Sequence, residues 1–174
     1  MGKLDTDVPY LEPLLIHLRN DVELEKYFSK KDFYALPKAD LGDLEDAIKN
    51  DCPAPRSVWI FPGNNQNQIA TRTPNCGPKM LHNFNIVITY QCIRKSFEFK
   101  VDADNKLYLD GQFMELSAAR KAVKKSITRF NKTLNIVSDN MGFDYVSWVS
   151  DEMLYPDDAT QFLISNSVYQ TIIF

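Results

Sequence analysis

Residues that commonly carry out chemistry in proteins are sparse in this sequence of 174 residues. Its three cysteines, Cys52, Cys76 and Cys92, are widely spaced and form no Cys-x-x-Cys pair. Neither a zinc site nor a thiol-redox motif is therefore expected, and free thiols are typical of folding in the cytoplasm. One of the two histidines, His17, lies between leucines of a helical stripe. We interpret it as a packing or solvent-facing residue and not as a ligand.

Clusters of carboxylates have simpler interpretations than metal binding or acid–base catalysis. The cluster at Asp40 to Asp46 lies near the start of a short helix, where the helix dipole favours negative charge. The run from Asp102 to Asn105 lacks the ligands and the glycine of a calcium loop, so a hairpin turn is expected. No histidine, cysteine or phosphate loop accompanies the carboxylates of Asp151 to Asp158, so we expect a solvated connection.

No nucleophile elbow, Walker loop, dinucleotide fingerprint or metal-ligand spacing is present. The sequence therefore predicts no catalytic, metal-binding or cofactor-binding residues, no cofactor and no enzymatic activity. A net charge of −3 argues against bulk binding to nucleic acid or to an anionic membrane. No apolar run approaches the roughly 20 residues that span a bilayer. The chain is expected to be one globular domain over residues 1–174.

Two helices have clear apolar stripes. The first is expected near Tyr10 to Phe28, and the second begins at Glu115 or Ser117 and ends near Lys132. The first stripe is Leu11, Leu14, Leu15, Leu18 and Val22, and the second is Leu116, Ala119, Val123, Ile127 and Phe130. A shorter helix is expected at Leu41 to Lys49.

The second helix also carries a set of basic residues, namely Arg120, Lys121, Lys124, Lys125 and Arg129. This set has two interpretations: a solvated helix face, or an electrostatic contact with an acidic partner. Aromatic residues are not interleaved with these charges, so stacking on nucleic-acid bases is not indicated.

The last stretch, Gln161 to Phe174, is rich in β-branched and aromatic residues and has no charge. It predicts a long strand that is central in the sheet or covered by a neighbour. Its more apolar face is expected to point at the core; that face is Phe162, Ile164, Val168, Ile172 and Phe174.

Earlier strands follow from alternation of apolar and polar residues. They are Arg56 to Phe61, Asn83 to Cys92, Ser96 to Val101, Lys106 to Leu109 and Phe143 to Val149. The segment Ser29 to Lys38 is expected to be a polar connection, with Phe33 among its buried residues.

A polar stretch of about 20 residues, Gly63 to His82, separates the first two of these strands. Loops longer than about 12–15 residues are usually functional or disordered. The two strands are expected to pair as an arm-like hairpin with this loop at its tip.

The order of elements predicts an α+β two-layer sandwich. Its sheet is mainly antiparallel with about four strands, and two long helices pack on one face. A short helix and a protruding hairpin or loop complete the expected fold.

The whole pattern resembles phage tail terminator proteins of the head–tail junction. The resemblance lies in the helix at Tyr10 to Phe28, the segment Pro55 to Gly63 (Pro-Arg-Ser-Val-Trp-Ile-Phe-Pro-Gly), the polar loop with the strand from His82, the basic helix and the closing strand pair.

This resemblance implies a non-enzymatic virion protein that assembles in the host cytoplasm. It would form a ring, typically a hexamer, that caps the tail tube and meets the head connector, while DNA passes through the lumen without sequence-specific binding. A ring needs a heterologous contact that closes. Under this resemblance, the loop residues Asn64, Asn65, Gln66, Asn67, Arg72 and Lys79 are candidates for a subunit or tube interface.

Alternatives remain for both the protein and its loop. A neck or stopper subunit of the head–tail junction has similar requirements, and a small ligand-binding or enzymatic α+β domain belongs to a different class. The loop could also be a flexible surface segment.

Overall fold

The computed structural model describes residues 8–35, 56–62, 68–73, 76–91, 99–101, 103–104, 107–109, 112–137, 142–154 and 162–173. The helices are α1 (Leu11–Asn20) and α2 (Gln112–Val137). The strands are β1 (Phe33–Ala35), β2 (Arg56–Pro62), β3 (Gln68–Thr73), β4 (Cys76–Gln91), β5 (Phe99–Val101), β6 (Leu107–Leu109), β7 (Ser147–Leu154) and β8 (Phe162–Ile173). The expected helix at Leu41 to Lys49 and the residues Asn64 to Asn67 lie outside the described residues.

The fold is α+β, as the order of elements predicted. Its main sheet has six strands in the order β1-β2-β4-β8-β7, and β3 also pairs with β4. All its pairs are antiparallel except β1 with β2. The expectation of about four strands was too low because β1 and β3 lie in segments interpreted as connections. A separate hairpin, β5 with β6, confirms the predicted turn between these two strands.

Strand β8 lies between β4 and β7, which confirms its predicted central place. The face predicted to meet the core was wrong. Leu163 and Tyr169 belong to the core with both helices, whereas Ile172 on the other face is half-buried. The helix-facing side also carries Ser167 and Thr171, and these small polar residues made it look like the solvent side. Both are buried. Ser167 donates a hydrogen bond to Asp151 Oδ1, and Thr171 donates one to the Asp144 carbonyl oxygen.

The sheet is buried on its second face as well, which is why hydrophobicity alone did not distinguish the two faces of β8. Trp59 and Val87 are buried there. Polar groups on this face are paired: Trp59 Nε1 donates to Ser57 Oγ at 2.7 Å, and Asn85 Nδ2 donates to Asn166 Oδ1 at 2.9 Å. Buried polar atoms with partners avoid most of the desolvation penalty.

The polar stretch after β2 is not one long loop. Leu81 of β4 pairs with Gln68 of β3 on one side and with Ile172 of β8 on the other. Strand β2 also pairs with β4 on the side away from β8, so β3 and β2 lie along the same side of β4. The predicted arm-like hairpin is confirmed, and the expectation of a structureless loop at residues 68–73 and 76–82 was wrong. Backbone pairing in a hairpin does not require apolar side chains, which is why the polar composition concealed these strands.

Helices α1 and α2 pack together on one face of the sheet, as predicted. The core contains the expected stripe of α2 and the four leucines of α1. Helix α1 ends at Asn20, earlier than predicted, because Asp21 has an extended backbone with ψ of 113° and accepts the Glu23 N–H at 3.0 Å. Val22 therefore leaves the stripe and is 73% exposed.

Two segments before the last strands differ from the sequence prediction. Phe33 is buried as expected, but it begins the parallel strand β1 and not a plain connection. Phe143 makes an isolated bridge to Ile173, and the continuous strand β7 begins only at Ser147. The predicted strand from Phe143 to Val149 therefore began too early. Its continuation through Leu154 was missed because acidic residues suggested a solvated connection.

Candidate interaction surfaces

The five basic residues predicted as a partner surface lie on α2, but the structure divides them into two groups. Arg120, Lys124 and Arg129 form ion pairs within the chain. Lys121 and Lys125 are exposed. Three of the five charges are thus engaged within the chain, and an electrostatic contact of the set with an acidic partner stays a prediction.

Asp151 on β7 is the centre of the first ion-pair cluster. Lys124 Nζ lies 2.5 Å and Arg120 Nη1 lies 3.9 Å from Asp151 Oδ2. Oδ1 accepts hydrogen bonds from Trp148 Nε1 at 3.0 Å and from Ser167 Oγ at 2.7 Å. This cluster joins α2 to the edge of the sheet.

The Asp151 carboxylate is not part of a solvated connection, contrary to expectation, since its side chain is only 18% exposed. Burial alone would raise the pKa of Asp151, but hydrogen bonds from Lys124, Ser167 and Trp148 outweigh burial, and the net pKa lies below its usual value. The carboxylate is held ionised as a structural anion.

A second cluster forms around Asp21, just after α1. Arg129 Nη2 lies 2.6 Å from Asp21 Oδ2, and Ser126 Oγ also donates to that oxygen. Burial acts to raise the pKa of Asp21, and hydrogen bonds from Ser126 and Arg129 lower it below its usual value overall. Nearby, His17 Nε2 donates to the Ser126 carbonyl oxygen at 2.9 Å, so His17 has a packing role as predicted.

A groove lies between α2 and the 3₁₀ turn Leu24–Lys26. Its volume is about 250 Å³. The residues that line it are Glu23, Lys26, Tyr27, Ala118, Lys121, Ala122 and Lys125. Two of the three lysines in the lining, Lys121 and Lys125, belong to the basic set found in the sequence. Lys26 is far from them along the chain and was not associated with them.

The tip of the β3–β4 hairpin extends beyond the rest of the sheet. Strand β4 pairs with β8 only from Met80 onward and with β2 only from Phe84 onward, so residues 76–79 pair with β3 alone. Arg72 lies in β3, and Lys79 pairs in register with Thr71. Two of the six predicted interface residues thus lie on a projecting element of defined structure.

The edge at β7 exposes apolar side chains that the sequence prediction missed. Trp148 is 53% exposed and Val149 is 45% exposed, and Val149 lies at an irregularity in the pairing with β8. Lys124 Nζ lies 4.2 Å from the centroid of the Trp148 ring, a cation–π distance. The exposed indole is therefore held in place from both its face and its ring nitrogen.

Metal-ligand chemistry is not assembled in the part of the chain that the structure describes. No group of three or more His, Cys, Asp or Glu side chains there is arranged to hold a metal ion. Among the same residues, no helix combines the length and the apolar character that crossing a bilayer requires.

No protein-family model and no curated protein sequence matches this chain. Its fold is similar to that of a chain in the solved structure "Virion of native gene transfer agent (GTA) particle", with a TM-score of 0.54 and 14% sequence identity. The match covers 97% of this chain and 98% of the other chain. The two chains therefore share a fold over nearly their whole lengths.

Proposed function

We propose that this chain is a structural protein of a phage-like virion, and that it acts as a tail terminator. The observation that carries the proposal is the fold shared with a chain of a gene transfer agent virion across 97% of this sequence. The resemblance of the element order to tail terminators narrows that virion role to the head–tail junction. In this role the protein is one non-enzymatic domain located in the virion.

The proposed ring needs a surface for the neighbouring subunit and a surface for the tube or connector. The β3–β4 hairpin tip supports the first requirement, because residues 76–79 project beyond the pairings of β4 with β2 and β8 and can reach an adjacent subunit. The groove beside α2 supports the second, because it presents lysines to a partner. The ring is a hexamer in this proposal, and DNA passes through its lumen without sequence-specific contacts.

Light scattering of the purified protein across a concentration series, with and without tail tubes of the same virus, tests the proposal. A ring-sized species, or a monomer that becomes one on adding tubes, is expected. Electron microscopy should then show density at one end of each tube. A protein that stays monomeric and does not cap tubes would contradict the proposal, and binding to the head connector without tube binding would favour a neck or stopper subunit.

A further inference from the structure

We infer that the groove between α2 and the 3₁₀ turn Leu24–Lys26 is a docking site for a carboxylate-rich segment of a partner protein. This inference deepens the proposed function by giving the chemistry of the partner. It does not require the chain to form a ring, because the groove is built within one subunit.

The described part of the chain does not balance the charge of the groove. In the described residues, ion pairs use Lys30, Arg56, Arg120, Lys124 and Arg129. Lys26, Lys121 and Lys125 line the groove and have no carboxylate partner among those residues. Glu23, also in the lining, lies 3.2 Å from Arg129 and is already engaged.

Two of the three lysines repel each other by their placement. Lys121 and Lys125 are one turn apart on α2, a spacing at which like charges destabilise a helix. Lys26 brings a third ammonium group to the same groove from another element. An anionic occupant would relieve this repulsion, and each ammonium has three N–H donors to offer it.

The groove also has apolar surface for the body of a side chain. Ala118 and Ala122 line it on α2, and the half-buried Tyr27 ring lines it from the 3₁₀ turn. A Glu or Asp side chain presents both a methylene stem and a carboxylate, so it matches this combination better than an inorganic anion does.

A nucleic acid fits this surface less well than an acidic protein segment. Two carboxylates lie on one side of the groove, since Glu23 is in its lining and Glu25 is in the adjacent 3₁₀ turn. A long polyanion would approach these carboxylates, whereas a short acidic segment can end within the groove. The described residues of the lining also include no arginine, the residue that binds phosphate in a bidentate manner.

Isothermal titration with a hexaglutamate peptide at low ionic strength tests this inference directly. The double variant Lys121→Gln/Lys125→Gln should bind the peptide roughly twofold to thirtyfold more weakly than the parent protein, since exposed ion pairs contribute about 0.2–1 kcal/mol each. The matched control is Lys31→Gln/Lys132→Gln, which removes the same charge from exposed lysines outside the groove. The control should bind like the parent.

Three results would overturn the inference: no peptide binding by the parent protein, equal weakening by both double variants, or tighter groove-dependent binding of a DNA duplex than of the peptide. Peptide binding needs neither rings nor tail tubes, so its outcome is independent of the light-scattering test. A chain that caps tubes but ignores the peptide would keep the proposed function and lose the docking site.

Discussion

Lys124 on α2 and Asp151 on β7 form an ion pair, with 2.5 Å between Nζ and Oδ2, that fastens the long helix to the edge strand of the sheet. The same ammonium lies 4.2 Å from the Trp148 ring centroid, and the same carboxylate accepts the Trp148 N–H. A residue predicted to face a partner is thus used to position an exposed tryptophan. Because the Trp148 side chain is already ordered in the free protein, it would lose less conformational entropy on binding a partner.

Replacing Asp151 by Asn should destabilise the fold by about 1–3 kcal/mol at pH 7, because it leaves Lys124 and Arg120 without their anion. The pKa of Asp151 is lowered in the folded protein, so its stabilisation is present above the usual value of 3.8 and is lost as the pH falls through the folded value. Urea denaturation at pH 7 and near pH 3 should show a weaker pH dependence in the variant.

Glu152→Gln is the control for this experiment, because Glu152 is the next residue and is exposed. Its stability should remain within about 0.5 kcal/mol of the parent. Equal losses of stability in both variants would mean that the removal of one negative charge, and not the loss of the cluster around Asp151, accounts for the effect.

Protonation of His82 should weaken the fold. Tyr10 Oη lies 2.6 Å from His82 Nδ1, and burial raises the pKa of Tyr10, so the hydroxyl stays protonated and donates. Burial also lowers the pKa of His82 below its usual 6.5. The neutral ring's stabilisation is full above 6.5 and is lost as the pH falls through the folded value.

Urea denaturation at pH 7.5 and at pH 5 should therefore show lower stability at the lower pH. His82→Gln keeps an acceptor for Tyr10 and should remove much of that difference, whereas His17→Gln should retain it. If His17→Gln removed the difference in stability between pH 7.5 and pH 5 and His82→Gln retained it, the role given to the Tyr10–His82 pair would be refuted.

Substitutions in β8 can establish which of its faces supports the helices. Leu163 is 1% exposed in the core, so Leu163→Ala should cost about 2–5 kcal/mol. Ile172→Ala should cost less than half as much, because Ile172 is half-buried on the other face. Chemical denaturation measures the free energy of unfolding of both variants. A larger loss of stability for Ile172→Ala would mean that the face predicted from hydrophobicity is the one that supports the helices.

Local periodicity predicted the elements that depend on one repeating pattern. The α2 stripe, the central β8 strand and the β5–β6 hairpin all follow from spacing within a single segment. Pairings between distant residues were not predictable in this way. Arg129 and Asp21 are 108 residues apart, and the residues around each of them do not indicate that the two side chains pair.

The two candidate surfaces illustrate the same limit. Lys121 and Lys125 stand out in the sequence as part of a basic run, but only the fold separates them from the paired Lys124 and adds Lys26. For the hairpin, a polar composition predicted a long loop. It could not reveal backbone pairing, because strand hydrogen bonds are made by every non-proline residue.

Shortening the β3–β4 hairpin should separate assembly from folding. Replacing Ala70 to Lys79 by Asn-Gly joins the paired residues Ile69 and Met80 through a two-residue turn, a favoured hairpin connection. The pairing of β4 with β8 begins at Met80, so the sheet beyond the tip is retained. The free energy of unfolding should change by no more than about 1 kcal/mol, because the replaced segment lies outside the pairings of β4 with β2 and with β8.

The shortened protein should nevertheless fail to cap tail tubes in electron micrographs, since the projecting tip is the proposed contact with a neighbour. The control Arg72→Gln/Lys79→Gln keeps the hairpin backbone and removes only its charges. Capping by the control but not by the shortened protein would assign the contact to the strand edge, and loss in both would assign it to the two cations. A shortened protein that still caps tubes would exclude the hairpin from assembly, and one that unfolds would show that the tip is part of the fold.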